Sequence, residues 1–351
     1  MQLPAGTTGA GPRAAALGQA VKVFRALHLR LGTRKSYGYL QRKFVAFADS
    51  VGIDPHIPIA ETTLCMAAVD FCRTCKVTSL PQYMSAVQKF HTDGGYGQLP
   101  RGAAYKETCK GLINFFGQVD KVEPKHALTL DNLHGILAQL DLTKLDDATF
   151  WAALTTAFFG LLRISEYADG ALKVKDVQVV PEGVILTIPF SKTSLLPVEV
   201  RLSARPDDLC PKKAVKHYLN LLGQSSSREA KSAFFARGPE SKSTPMTKRH
   251  FIDKLKVHVK KLGLNPDHYA GHSCRRGGCT AMFLAGVDET WIAAHGRWRS
   301  LEYRKYLDFV NDTQWRPTAL LAARSRFGLP SAAEAAQLIQ LPGTRPSVGR
   351  R

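Results

Sequence analysis

The 351-residue sequence lacks an unbroken apolar run of about eighteen residues, the shortest stretch that predicts a transmembrane helix. Its N-terminal stretch also lacks the basic region and apolar core of a secretory signal. We therefore expect no membrane partner and no secretion. The seven cysteines are an odd number scattered along a long chain, which favours reduced thiols in an intracellular protein over a disulfide framework.

Complete metal-binding motifs are also missing. Cys72 and Cys75 form a C-x-x-C pair, but no second pair lies at the distance of a zinc ribbon or finger. His268 and His272 have the i, i+4 spacing of a metalloprotease helix, but Tyr269 stands where the glutamate base belongs. We therefore predict no metal site and no cofactor.

Acidic residues are scarce: 29 Asp and Glu stand against 48 Lys and Arg, which gives a formal net charge of +19. Basic residues exceed acidic ones in residues 1–122 and in the remainder of the chain. The apolar fraction of 44% is ordinary for a folded protein, so the charge does not indicate a disordered basic tail. A folded protein that is basic throughout predicts a polyanionic partner, most simply nucleic acid. A generally basic proteome, or solubility, is the alternative explanation.

The periodicity of apolar residues predicts a mainly α-helical chain with a small β-sheet, an α+β fold. The expected organisation is a disordered N-terminus (1–13), a helical domain (14–119), a basic linker (120–133), a second domain (134–330), and a tail helix with a disordered basic end (331–351). The second domain is predicted to open with helices near 130–140 and 147–163. Alternation then predicts strands over 177–180, 183–190 and 197–202.

Strongly polar side chains stand in this second domain where a core residue could stand. Arg163 follows a strongly apolar helix, with Glu166 one turn later, and Lys192 lies at the tip of the strand–loop–strand segment. Trp298 and Tyr306 follow near the end of the domain. Taken singly, an Arg163–Glu166 ion pair, a solvated lysine and a core tryptophan would explain most of them.

His272 and Arg275 are three residues apart at the start of a predicted helix, so we expect them to project from one face. Gly277 and Gly278 lie inside the same helix, where each costs about 1 kcal/mol relative to alanine. Their presence predicts that the helix packs closely against a neighbour. A helix-capping role is the alternative for His272.

Together these side chains supply what nucleophilic attack on a phosphodiester requires. The attack builds negative charge on the phosphate oxygens, which the planar guanidinium forks of Arg163 and Arg275 suit. A lysine whose pKa is lowered by neighbouring cations can protonate the leaving 5′-oxygen, and His272 is the nearest acceptor for the phenol proton of Tyr306. The start of the helix adds its own partial positive charge.

Five segments in the same order resemble the motifs of the tyrosine recombinase family, the phage integrase-like proteins of Cre and Xer type: "LLRISE", "IPFSKTS", "HSCRRGG", "GRW" and "YRKYL". The resemblance extends over roughly residues 14–330. It implies an N-terminal core-binding domain of SAM-like fold, followed by a recombinase catalytic domain. The implied activity is site-specific cutting and rejoining of DNA strands through a covalent 3′-phosphotyrosyl link, without metal or ATP.

The resemblance also implies a role for each residue of the set. Arg163 and Arg275 would bind the scissile phosphate, and His272 would assist proton transfer. Lys192 would protonate the leaving 5′-oxygen, and Trp298 would hydrogen-bond the phosphate where many relatives carry histidine.

Two further roles follow from the same resemblance. Glu166 would orient the surroundings of the first arginine, and Tyr306 would be the nucleophile. Tyr303 competes for that role, but the resemblance favours Tyr306, eight residues after Trp298. His295 has no counterpart in the expected place and is interpreted as structural or backbone-contacting.

The implied partner is double-stranded DNA, held by a homotetramer that assembles through the tail helix at about 332–341. We expect no small-molecule substrate, and a DNA-associated location in the nucleus of a eukaryote or otherwise in the cytoplasm or nucleoid. A topoisomerase IB-like or telomere-resolvase-like enzyme, and a domesticated DNA-binding protein of the same fold, remain alternatives. The predicted DNA-binding residues are Arg34, Lys35, Arg42, Lys43, Lys248, Arg249 and Arg276.

Overall fold

The computed structural model describes residues 12–120, 125–189, 196–223, 229–237 and 244–307. The chain divides into two compact units, Met1–Glu123 and Pro124–Arg351, so the boundary falls inside the predicted 120–133 linker. Within the described part of the chain, no helix combines the length and apolar character that crossing a bilayer requires.

The first unit is built from helices, as its 3.6-residue apolar period predicts. Helix α2 buries Leu40, Phe44, Phe47 and Ala48, which are spaced as one helix face, against its neighbours. Helix α1 begins at Pro12, within the 1–13 range predicted to be disordered, and residues 1–11 lie outside the described part. The helices are α1 (Pro12–Leu27), α2 (Leu31–Ser50), α3 (Glu61–Thr74), α4 (Leu80–Asp93) and α5 (Ala103–Val119).

The second unit combines helices with a small antiparallel sheet. Its helices are α6 (Leu130–Leu137), α7 (Leu145–Phe159), α8 (Ile164–Tyr167), α9 (Pro211–Leu221), α10 (Lys248–Lys261), α11 (Gly271–Leu284) and α12 (Glu289–His295). Its strands are β1 (Val177–Val180), β2 (Gly183–Ile188), β3 (Val198–Ser203), β4 (Ala236–Arg237) and β5 (Thr244–Pro245). The predicted mainly α fold with a small sheet is confirmed.

The sheet has the strand order β1-β2-β3, and β4 pairs separately with β5. Val184 pairs with Leu202, and Leu186 pairs with Val200, so the buried faces of β2 and β3 meet in register. This face packs in the main core of the unit, which also contains most of the buried α7 side chains. The site described below lies where α7 ends and α11 begins.

Helix α6 and the end of α7 differ from the sequence prediction. Thr129 accepts a hydrogen bond from the backbone N–H of Asn132 and caps α6, so the last residues of the predicted linker are already helical. The apolar run predicts that α7 continues to Arg163, but the helix ends at Phe159. Leu161 then adopts a left-handed φ of 45°, and Arg163 becomes the cap residue of the short helix α8.

The two glycines inside α11 lie where the helix backbone meets other main-chain atoms. A Cβ at Gly277 would lie 2.1 Å from the carbonyl oxygen of Leu128, and one at Gly278 would lie 2.1 Å from that of Phe158. Both distances are shorter than any real Cβ contact, so only glycine lets α11 pack this closely. The close packing expected from the sequence is present.

Candidate functional site

Glu166 lies between two guanidinium groups at the start of α8. Its Oε1 accepts from Nη1 of Arg163 at 3.0 Å, and its Oε2 accepts from Nη2 of Arg297 at 2.8 Å. The backbone N–H of Arg163 also donates to Oε2 at 2.9 Å. Glu166 is 4% exposed, and charge-assisted bonds to both oxygens offset the cost of burying its charge.

Arg275 lies fully buried on the first turns of α11. Its Nη1 donates to the backbone carbonyl of Leu161, and its Nη2 donates to that of Gly296 at 2.5 Å. Burial, followed by the positive charges of Arg163 and Arg297, lowers the pKa of Arg275 below its ordinary value. Among the described residues, no acceptor meets the buried Nε of Arg275.

An aromatic wall faces this arginine. The guanidinium carbon of Arg275 lies 4.1 Å from the ring centroid of Trp298 and 5.5 Å from that of Tyr306. The two rings are 5.3 Å apart, and the His272 ring lies 6.1 Å from that of Tyr306. His272 is exposed whereas Arg275 is fully buried, yet both lie on the first turns of α11 and both approach the same tyrosine.

The two competing tyrosines have different surroundings. Tyr303 is buried, donates its hydroxyl hydrogen to Glu289, and accepts from Nε of Arg304 at 3.2 Å. Tyr306 is partly exposed, and its ring lies against Arg275 and Trp298. The Tyr303 hydroxyl is therefore engaged by protein partners, whereas Tyr306 lies beside the buried arginine.

His295 contacts the backbone at the end of α7. Its Nε2 lies 2.7 Å from the carbonyl oxygen of Phe159, which fits a neutral ring that donates from Nε2. Burial lowers the pKa of His295, and the neighbouring Arg297 and Arg275 act in the same direction. This agrees with the structural interpretation of His295.

Arg297 is the residue that the sequence analysis missed, although it stands inside the quoted "GRW" segment. Its side chain is 6% exposed and contacts Glu166 together with the carbonyls of Gly160 and Leu161. Three guanidiniums and one carboxylate therefore meet in a region of low solvent access. The excess of positive charge gives this region the character of an anion site.

The remaining predicted site residues are distributed as follows. Lys192 lies outside the described residues, so the structure does not place it. No group of His, Cys, Asp and Glu side chains within the described ranges is arranged to hold a metal ion. Cys72 is buried and Cys75 is half-buried, with the Cys75 sulfur 3.3 Å from the ammonium nitrogen of Lys43.

The predicted DNA-binding residues are mostly at the surface. Arg34, Lys35 and Arg42 are exposed on α2, whereas Lys43 is half-buried beside Thr74 and Cys75. On the second unit, Lys248 pairs with Asp169 at 2.7 Å, Arg249 has a 91% exposed side chain, and Arg276 is half-buried on α11.

Comparison with solved structures identifies the fold. The Tn1549 transposon integrase, in complex with transposon right end DNA, matches with 15% identity over 86% of this chain and 98% of that chain, at a TM-score of 0.59. A lambda integrase dimer bound to a COC′ core site matches with 13% identity over 84% and 94%, at 0.56. The fold is that of the tyrosine recombinases.

A third structure extends the comparison. The XerH site-specific recombinase bound to a palindromic difH substrate matches this chain with 14% identity over 74% of this chain and 69% of that chain, at 0.52. No protein-family model matches the sequence, and no curated protein sequence matches it. At 13–15% sequence identity, the similarity to these structures concerns the fold alone.

Proposed function

We propose that this protein is a tyrosine-type DNA recombinase that cuts and rejoins strands of double-stranded DNA through a covalent 3′-phosphotyrosyl link to Tyr306. The observation that carries the proposal is the meeting of Arg163, Arg275 and the Tyr306 ring at one place in the recombinase fold. Those residues come from three separate segments of the chain, and each has a type that phosphoryl transfer requires.

The chemistry proposed for the site follows from its charges. The Tyr306 oxygen forms a bond to phosphorus while the bond to the 5′-oxygen breaks, and negative charge accumulates on the non-bridging oxygens. Arg163 and Arg275 hold that charge, and such preorganised donors are each worth about 10²–10³ in rate. The positive end of α11 faces the same anion.

Two proton transfers complete the proposed step. The phenol proton of Tyr306 goes to the imidazole of His272, whose ring is exposed beside the tyrosine. The departing 5′-oxygen takes a proton from Lys192. Rejoining reverses the sequence, with a 5′-hydroxyl of partner DNA attacking the phosphotyrosine, so the bond energy is conserved through the exchange.

The surroundings of the site support the same proposal. Trp298 covers one face of the Arg275 guanidinium, which shields the charge from water and strengthens its attraction for an anion. Glu166 fixes Arg163 from the opposite side. The proposal also includes the hydrogen bond from Trp298 to the phosphate that the resemblance implies.

We propose the same DNA grip and assembly that the resemblance implies. Exposed basic residues of both units, including Arg34 and Arg249, would contact phosphates and would make affinity fall steeply with salt. Four protomers would assemble around two duplexes, with the 332–341 helix of each docking on its neighbour. That helix lies outside the described residues, as do the rest of 308–351. The organisation into core-binding unit, 120–133 linker and catalytic unit is part of the proposal.

The decisive experiment is a suicide duplex that carries a nick beside the cleavage position, so that the cut strand is lost and the adduct is trapped. The target DNA is first selected from a random library by retention on the protein. Wild-type protein should give a covalent adduct resistant to denaturant, and Tyr306→Phe should bind the DNA without forming it. Tyr303→Phe is the matched control and should still react.

The alternatives are separated by the same assay and its products. Binding without any adduct from wild type would identify a DNA-binding protein that retains only the fold. An adduct that still forms with Tyr306→Phe would show that Tyr306 is not the nucleophile. Relaxed circles or hairpin ends, in place of joined recombinant strands, would indicate the topoisomerase-like or resolvase-like reaction.

A further inference from the structure

Arg297 occupies a position that turn geometry alone does not explain. It follows Gly296 after α12, and its φ of 60° lies in the left-handed region, which L-residues other than asparagine and aspartate adopt rarely. Glycine would satisfy such a turn without strain. The contacts that the Arg297 guanidinium makes offset the strain of holding a long charged side chain at this φ.

Those contacts join the two arginines proposed to bind phosphate. Nη2 of Arg297 donates to Oε2 of Glu166 at 2.8 Å and to the carbonyl of Leu161 at 3.1 Å. The other oxygen of Glu166 holds Arg163, and the same Leu161 carbonyl accepts from Arg275. A continuous path of polar contacts therefore runs from Arg163 to Arg275 through Arg297.

The backbone beside Arg297 reinforces this path. The carbonyl of Gly296, which directly precedes Arg297, accepts the second Nη of Arg275. Nη1 of Arg297 donates to the carbonyl of Gly160, which begins the turn after α7. The loop after α12 and the turn after α7 are thus held together by one guanidinium, and each carries an acceptor for Arg275.

Because Arg297 is buried, its contacts with Glu166 depend on the positive charge of its guanidinium. With 6% of its side chain exposed, Arg297 has lost most of its hydration, and its pKa is lowered by that burial. The carboxylate of Glu166 acts in the opposite direction and keeps the guanidinium charged. A neutral side chain at 297 would leave one oxygen of Glu166 with the backbone N–H of Arg163 as its remaining partner among the described residues.

We infer that Arg297 is a positioning residue, which sets the distance between the guanidiniums of Arg163 and Arg275 by bridging Glu166 and the Leu161 carbonyl. This inference rests on the proposed function and deepens it. Nη1 and Nη2 of Arg297 donate to protein acceptors, and its buried Nε meets no acceptor among the described residues, so the inference gives Arg297 no contact with the phosphate. Its effect on cleavage passes through the two arginines that do.

The test compares Arg297→Gly, Arg297→Lys and wild type in single-turnover adduct formation on the suicide duplex, with DNA in slight deficit. Glycine removes the guanidinium and also relieves the left-handed φ, so the fold is expected to survive. Because a displacement of about 1 Å can cost 10²-fold in rate, Arg297→Gly should slow adduct formation by about 10². DNA affinity should change by less than about 3-fold, since surface phosphate contacts dominate it.

Two further measurements distinguish positioning from general structural support. Lysine is a point charge that cannot bridge a carboxylate and a carbonyl as a planar fork does, so Arg297→Lys should stay well below wild type. Millimolar guanidinium should restore the Arg297→Gly rate by about 10-fold and leave wild type unaffected. Arg299→Gly, at an exposed arginine of the same loop, is the matched control and should react at the wild-type rate.

Each outcome has one meaning. An Arg297→Gly protein that cleaves as fast as wild type overturns the inference while the wild-type adduct upholds the proposed function. A slow variant that loses DNA affinity and thermal stability to the same degree, and that guanidinium does not restore, also overturns it. A wild type that binds DNA without forming any adduct overturns the proposed function and the inference together.

Discussion

Arg275 donates one arm of its guanidinium to the backbone carbonyl of Leu161, a residue 114 positions away whose own φ is 45°. Among the described residues, backbone carbonyls and no carboxylate accept hydrogen bonds from this buried cation. Backbone acceptors satisfy both Nη groups without neutralising the charge. The positive charge stays available for an anion that approaches from outside.

Replacing Arg275 with lysine should abolish this arrangement. One ammonium group cannot reach the carbonyls of both Leu161 and Gly296 in the geometry of a fork. We expect Arg275→Lys to reduce adduct formation by at least about 10², the effect of losing one preorganised donor. The measurement is the single-turnover rate on the suicide duplex. Arg299→Lys is the control, and equal rates for both variants would contradict the assignment of Arg275.

Removing the hydroxyl of Tyr303 should affect stability and leave the chemistry intact. This hydroxyl donates to Glu289 and accepts from Arg304, so Tyr303→Phe should lose about 0.5–1.5 kcal/mol of unfolding free energy. Urea unfolding measures the change in unfolding free energy, and covalent trapping on DNA shows whether the chemistry is intact. Loss of the adduct in Tyr303→Phe, with normal folding, would transfer the nucleophile role to Tyr303.

Adding one methyl group to α11 should be strongly destabilising. The Cβ of Gly278→Ala would lie 2.1 Å from the carbonyl of Phe158, and overpacking of this kind costs about 1–3 kcal/mol or more. All four tryptophans of the sequence lie in the second unit, so their fluorescence during urea unfolding reports on this change.

The matched control for that substitution is Gly111→Ala on α5, where a Cβ would meet open space. Relief of the helix-interior glycine should stabilise the first unit by about 0.5–1 kcal/mol, measured by circular dichroism. A Gly278→Ala protein as stable as wild type would mean that α11 does not lie this close to α7.

Stability should decrease as the pH falls through the ordinary histidine range. Burial keeps the pKa of His295 below its usual 6.5, so the unfolded chain takes up a proton that the folded chain resists. His250 and His258, whose pKa values are also lowered by burial, act in the same direction. The contribution of these histidines to stability is complete above about pH 6.5 and is lost below it. Asp147 has a lowered pKa, so its contribution to stability is lost only at more acidic pH.

Urea midpoints measured between pH 8 and pH 5 test this expectation. His295→Gln should flatten part of the decline, because glutamine can donate to the Phe159 carbonyl without titrating. A decline of unchanged steepness in that variant would assign the dependence to other histidines.

Neutralising one exposed cation should change the salt dependence of DNA binding more than its sequence preference. Arg249 has a 91% exposed side chain on α10, and its exposed ion pair with Asp253, at 3.5 Å, is weak enough for a DNA phosphate to replace. Arg249→Gln should make the slope of log K against log salt shallower by about 0.9, the value for one phosphate contact. Binding titrations from low to moderate salt measure the slope. An unaltered slope would remove Arg249 from the DNA-contacting surface.

The sequence predicted the elements whose determinants are local. The alternation in 177–202 marked three strands, and the Gly277–Gly278 pair marked a close helix approach that the structure contains. The end of α7 was placed four residues too late, because the run of apolar residues continues past the point where the left-handed Leu161 turns the chain. Apolar periodicity carries no information on such a turn.

Arg297 could not be found by the same reasoning. Its partners are a carboxylate 131 positions away and two backbone carbonyls, and main-chain acceptors leave no signal in residue type. Arg163 and Glu166 were recognisable because their ion pair is local, three residues apart on the chain. Contacts between residues that are far apart in the sequence could be identified only from the folded structure.

The left-handed turn at Leu161 also governs when the buried arginines can be assembled during folding. Both buried arginines depend on that carbonyl, and neither can reach it until the segments before α8 and after α12 have come together. A nascent or half-folded polypeptide would carry every reactive side chain and yet present no assembled centre. Under the proposed function, strand scission is thereby confined to molecules that have completed folding.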